Sequence, residues 1–213
     1  MQGRRKMKKN KIGIMGGTFN PIHNAHLKLA ECAMNQYTLD GVIFIPDNIA
    51  YHKRETDMVP ADIRLEMTRL AVSDNSRFSV SDIDIKRKGY TYTYETLSEL
   101  KQKMPDSELY FILGADSLMY FDSWKNPDII ASECIILAAV RDMSERSDME
   151  DKIAEIKKKF DCDIRIVNFE KMDISSTEIR TKLRNGDIQW CRSRVPKRTL
   201  DYIISKKIYM CQK

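Results

Sequence analysis

The chain has 213 residues, 42% of them apolar and 31% charged, which suits one α/β unit able to bury a sizeable core without disulfides. No apolar run approaches the ~20 residues of a membrane span, and the charged N-terminus lacks the apolar stretch of a secretory signal. The net charge of +5 is confined to the start: residues 1–11 (MQGRRKMKKNK) hold six Lys or Arg and no acid, and residues 12–213 carry 30 basic and 31 acidic side chains, so the body has little charge support for nucleic-acid binding.

Residues 1–10 read as a basic, disordered tail and 11–213 as a single domain. The five cysteines (Cys32, Cys134, Cys162, Cys191, Cys211) are scattered, with no C-x-x-C pair. That pattern fits reduced thiols in the cytoplasm better than a disulfide framework or a zinc site.

In chain order, IGIM (12–15) predicts a buried strand ending at Gly16-Gly17. HLKLAECAMNQY (26–37) has helical apolar spacing, and GVIFIP (41–46) is a second strand. Pro60 opens a helix through Ile63, Met67, Leu70 and Ala71. RFSVSDIDI (77–85) reads as an edge-type strand, and Thr93 to Met104 as a helix. ELYFIL (108–113) and ECIILAAV (133–140) are strands. A helix opens at the capping box Ser147/Glu150, CDIRIVNF (162–169) alternates as a strand, and Ser175/Glu178 form a second capping box. Gly186 is placed to end that helix, and a last amphipathic helix runs from Pro196 to Ile208.

Strands that alternate with helices and read as continuous apolar runs imply a Rossmann-like, doubly wound, mostly parallel sheet with helices on both faces and a small C-terminal helical part. In such folds ligands bind beyond the carboxyl ends of the strands. Gly16 and Gly17 fall there, where the backbone must pass close to a ligand or take positive φ. Thr18 to Pro21 form a loop, and a helix begins near His23 or Asn24. Its N-terminus is a natural phosphate site. His23 and His26, three apart, share one face of that first turn, so both imidazoles can meet one anion, as donors and, when protonated, as cations. A Gly pair alone is more often a tight turn; strand, Gly-Gly-Thr, Pro and two histidines within twelve residues favour function.

GGTFNPIHNAH (16–26) resembles the G-x-F-[DN]-P-x-H-x-G-H signature of the nucleotidyltransferase α/β phosphodiesterase superfamily, and from about residue 11 to 208 the chain looks like the bacterial nicotinate-nucleotide adenylyltransferase family. FIPDNIAYHK (44–53), RLEM (64–67), GYTYTYET (89–96), FILGADSLMYFDSW (111–124), VR (140–141) and ISSTEIR (174–180) follow in that family's order. Asn20 stands where the signature more often has Asp, and Ala25 where it usually has Gly.

The resemblance implies adenylyl transfer from ATP to the phosphate of nicotinate mononucleotide; no cluster of metal ligands is visible in the sequence, and Mg2+ is expected to arrive with ATP. His23, His26 and Lys53 would be catalytic; without the match, Lys53 is an ordinary loop lysine. Gly16, Gly17, Thr18, Phe19, Gly114, Asp116, Arg141, Ser175, Ser176, Thr177 and Arg180 would bind ATP. Capping alone also explains Ser175, and a cap before Ser117–Phe121 also explains Asp116. Thr93 would read the pyridine carboxylate, with Tyr120 and Trp124 flanking the ring, although an aromatic pair is more often core. Substrates are then small molecules, with neither nucleic acid nor membrane as partner, and a homo-oligomer is left open. The alternatives are a sister adenylyl- or cytidylyltransferase with another phosphorylated acceptor, or a nucleotide-binding module without turnover.

Overall fold

The computed structural model describes residues 9–50, 58–87, 89–140, 143–170 and 172–210. Along the chain run β1 (Lys11–Gly17), α1 (Asn24–Tyr37), β2 (Gly41–Pro46), β3 (Ile49–Ala50), α2 (Ala61–Val72), β4 (Phe78–Val80), α3 (Ile83–Lys86) and β5 (Tyr90–Thr91). They are followed by α4 (Thr93–Lys103), β6 (Glu108–Gly114), α5 (Ala115–Met119), α6 (Pro127–Glu133), β7 (Ile135–Val140) and α7 (Met143–Lys159). The chain closes with β8 (Ile164–Asn168), α8 (Ser176–Arg184), α9 (Ile188–Cys191) and α10 (Lys197–Ser205).

Six strands form one sheet in the order β4-β2-β1-β6-β7-β8, and every pair is parallel. The inner strands are apolar on both faces because both are covered. Tyr110 and Ile112 of β6 enter a core with Met15, Phe44, Met67 and Leu137. Leu109, Phe111 and Leu113 point the other way, into a core with Ile14, Leu97, Leu118 and Ile136. No helix among the described residues is long and apolar enough to cross a membrane.

The sheet's winding reverses between β1 and β6, and there the strands part. Their last paired residues are Ile14 and Phe111. Beyond that point Met15, Gly16 and Gly17 pair only with β2, and Ile112 to Gly114 only with β7. Separating two inner strands for three residues opens a crevice at the carboxyl edge, the place where open α/β sheets bind ligands.

Three local expectations change. RFSVSDIDI is a strand only over Phe78–Val80; its second half turns into α3, with Asp84 buried beneath Arg87 and Thr96. Ser147 lies inside α7, which begins at Met143, so it is no cap. The C-terminal helix stops at Ser205, and Lys207 and Tyr209 take positive φ. That reversal lets the Tyr209 hydroxyl donate to Asn20 Oδ1 at 2.6 Å. The second capping box does form, Ser175 Oγ accepting from the Glu178 N–H, and Gly186 follows α8 at φ 75°.

Candidate active site

The parting of β1 and β6 leaves two adjoining cavities with one common wall. One, about 650 Å³, is lined by Thr93, Asp84, Asp116, Tyr120, Trp124 and Lys125 among others. Its neighbour, about 750 Å³, is lined by His23, Ala25, His26, Gly114, Ser175, Ser176 and Thr177. Gly16, Gly17, Thr18, Phe111, Asp116, Ser117 and Trp124 face both. Two compartments of nucleotide size, joined across a thin backbone partition, can present two substrates to each other.

The glycines serve close approach, not backbone freedom. Neither Gly16 nor Gly17 has positive φ; that conformation falls on Phe19, at φ 48°. A side chain on Gly17 would press the Phe19 ring at 3.1 Å, while one on Gly114 would meet no protein atom within 4 Å. The space over Gly114 belongs to the cavity.

His23 is the N-cap of α1 and His26 its third helical residue. Their rings stack at 3.7 Å between centroids, with the Phe19 edge 5.2 Å from His26. The His23 backbone N–H donates to His26 Nδ1 at 3.2 Å. An imidazole nitrogen that accepts carries no proton, so neutral His26 holds its proton on Nε2 and is a fixed donor. His23 is 6% exposed, and burial lowers its pKa from 6.5 to about 4. Of the two roles open to an imidazole, donor or cation, His23 keeps the first: in the free protein at neutral pH it is an uncharged donor.

The turn that carries the histidines is braced from several sides. Ser176 Oγ donates to the Pro21 carbonyl at 2.9 Å and Arg180 Nη1 to the Asn20 carbonyl at 2.9 Å. Arg180 is buried and stands behind the cavity wall, not on it. The Asn20 side chain is buried and accepts from Tyr209 and the Val59 N–H. A neutral amide there supplies the acceptor without burying a charge. Ala25 lies on the cavity wall and packs against the core.

Asp116 sits in the first turn of α5, whose N-cap is Gly114, so the capping alternative for Asp116 is set aside. Thr93 opens α4. Trp124 leans on Phe111 and Phe121 at 6.1 and 5.8 Å, and Tyr120 stands largely exposed at the rim. Lys53 and Arg141 lie outside the described residues.

Sequence reading missed a strap beneath the partition. Arg64, 1% exposed, donates to Asp47 Oδ1 at 3.0 Å and to the carbonyls of Thr18, Asn48 and Val59 at 2.6, 2.8 and 3.2 Å. Thr18 Oγ1 donates to the other Asp47 oxygen at 2.8 Å. One signal was present: Arg64 shares helical spacing with Met67, Thr68 and Ala71, all buried, so a cation sat on the inward face. Asp84 was missed too, because one of its two partners, Thr96, comes from α4.

Burial pushes the Asp84 carboxyl up to about 6, the Thr96 hydroxyl and Arg87 opposing it. Between pH 3.8 and 6 the native protein then holds a proton the unfolded chain has lost, so this group's stabilisation falls as pH rises. His23 acts oppositely: between pH 4 and 6.5 the unfolded chain binds the extra proton, and stability grows with pH. Asp84→Asn removes one of two opposed slopes. Over pH 4 to 6.5 its unfolding free energy should climb by about 3 kcal/mol more than that of the unaltered protein, read from urea titrations. Parallel pH profiles for the two proteins would refute the assignment.

The cytidylyltransferase-like family model matches residues 14–182. A curated protein of Lachnoclostridium phytofermentans, named "Probable nicotinate-nucleotide adenylyltransferase", is 42% identical over 200 residues, covering 94% of this chain and 99% of its own. One of the same name from Clostridium acetobutylicum is 39% identical over the same shares. Among solved structures, the Plasmodium falciparum nicotinic acid mononucleotide adenylyltransferase complexed with NaAD superposes with a TM-score of 0.75 at 23% identity, over 94% of this chain and 97% of that one. It agrees in fold. With the two-cavity crevice and the sequence likeness along nearly the whole length, this chain belongs to the nicotinate-nucleotide adenylyltransferases of the cytidylyltransferase-like family.

Proposed function

We propose that this enzyme transfers the adenylyl group of ATP to the 5′-phosphate of nicotinate mononucleotide, giving nicotinate adenine dinucleotide and pyrophosphate, a step of NAD biosynthesis. The observation that carries this reading is the stacked His23–His26 pair lining one of two cavities that share the partition Gly16–Thr18. The histidine cavity takes ATP and the aromatic one the acceptor.

An acceptor phosphate oxygen attacks the α-phosphorus in line as the bond to the pyrophosphate oxygen breaks. The nucleophile is already an anion, so no general base is needed; positioning and charge stabilisation carry the step. His26, with its proton fixed on Nε2, and His23, an uncharged donor, hydrogen bond the phosphate oxygens as charge shifts onto them. The positive end of the α1 dipole adds to their effect. Gly16, Gly17, Thr18, Phe19 and Gly114 let the nucleotide approach the backbone, and Asp116 takes ribose hydroxyls. Ser175, Ser176 and Thr177 border the triphosphate. Arg180, one layer back, holds the turn. Lys53 and Arg141 remain proposed phosphate contacts on the family likeness alone.

Mg2+ bound to the triphosphate supplies charge neutralisation. Phosphate oxygens and water would be its main ligands. Thr93, Tyr120 and Trp124 form the pyridine end. We read residues 11–213 as one domain, and the free thiols of the described cysteines support a reducing cytoplasmic setting.

The test is pyrophosphate release from ATP with nicotinate mononucleotide, its amide, or phosphopantetheine as acceptor. The acid should give the highest kcat/KM. Turnover with phosphopantetheine alone would point to the sister activity, and no release with any acceptor to a binding module.

A further inference from the structure

The aromatic cavity has an unusual charge inventory for a site that takes an anionic acceptor. Three carboxylates line it, Asp47, Asp84 and Asp116, against one cation among the described residues, Lys125. Asp47 is paired with Arg64 at 3.0 Å and Asp84 with Arg87 at 3.2 Å. Both of those arginines are committed to protein carboxylates, so neither is placed to answer a ligand's charge.

Lys125 is held where it can. Its ammonium lies 4.1 Å from the centroid of the Tyr92 ring and 5.9 Å from that of Tyr94, a cation–π seat that restricts an otherwise flexible side chain. Lys125 directly follows Trp124, and Tyr92 directly precedes Thr93. The contact therefore joins the segment that carries the indole to the N-terminus of α4, whose dipole favours negative charge. Against a neutral carboxamide this ammonium offers no charge pairing.

We propose that Lys125 is a specificity residue, its ammonium pairing with the acceptor's ring carboxylate and so selecting the acid over the amide. The inference rests on the nicotinate acceptor reading and names the side chain that enforces it. A charge pair at a partly solvated rim is worth about tenfold in selection, or about 1.4 kcal/mol.

The experiment compares kcat/KM for nicotinate mononucleotide and its amide in the unaltered protein, Lys125→Met and Lys125→Arg. Lys125→Met should lower the acid-to-amide ratio about tenfold, through a higher KM for the acid, and Lys125→Arg should restore most of it. Because Lys125 is exposed, both variants should fold, and matching circular dichroism and Tm would verify that. Equal losses with both acceptors would assign Lys125 to packing and overturn the proposal, as would an unchanged ratio. If the unaltered protein uses neither pyridine nucleotide, the acceptor reading itself fails and takes this inference with it.

Discussion

His26→Ala should lower kcat for pyrophosphate release by roughly 10²–10³-fold, the usual loss when one preorganised donor to a developing negative charge is removed. The size follows from how little freedom the ring has. It stacks on His23, meets the edge of Phe19, and accepts the capping hydrogen bond from the His23 N–H. Its donor is thus aimed before substrate arrives, with no reorganisation during the reaction. The same substitution deletes a capping interaction, which costs about 1 kcal/mol of stability, so Tm should fall by a few degrees while the protein stays folded. Kinetics and melting must be measured on one preparation, with kcat taken at saturating ATP. A folded variant with near-full turnover would end the catalytic assignment of the pair.

Arg64→Met should destabilise the fold by about 3–5 kcal/mol, the largest stability effect expected of any single change in the site. Methionine fills much of the volume but leaves the Asp47 carboxylate buried without its cation. It also leaves the Thr18, Asn48 and Val59 carbonyls without the donor they share. Unsatisfied buried groups cost more than the original bonds contribute. Removing both charges, as Arg64→Met with Asp47→Leu, should recover part of the loss, because a buried pair exchanged for apolar groups is often neutral. Equilibrium urea unfolding of the two variants beside the unaltered protein decides it. A loss under 1 kcal/mol for the single change would mean that water reaches Asp47, and the strap would lose its role in holding Thr18 at the partition.

The two effects meet in one short stretch. Thr18 to Pro21 is held from below by Arg64, from the side by Arg180 and Ser176, and from the C-terminal turn by Tyr209 through Asn20. Chain segments more than 150 residues apart fix the approach to α1. A site that works by placing donors has to be built on such a rigid mount.

Sequence alone determined what local spacing can encode. The apolar runs of β1, β2, β6 and β7 were legible because a strand covered on both faces must be apolar on both, and the edge strand β8 was legible from its alternation. The helical face of α1 and the Ser175 cap were legible because their partners lie within four residues. The histidine pair was legible for the same reason, since a three-residue step on a helix fixes which rings meet. Only the tertiary structure decided the rest. It alone turned DIDI into a helical turn over a buried Asp84, moved Arg180 behind the wall, set Arg64 against Asp47, and seated Lys125 on Tyr92. Each of those outcomes depends on a partner distant in sequence, and burial of a charge is worth its desolvation only once that partner has been folded into reach.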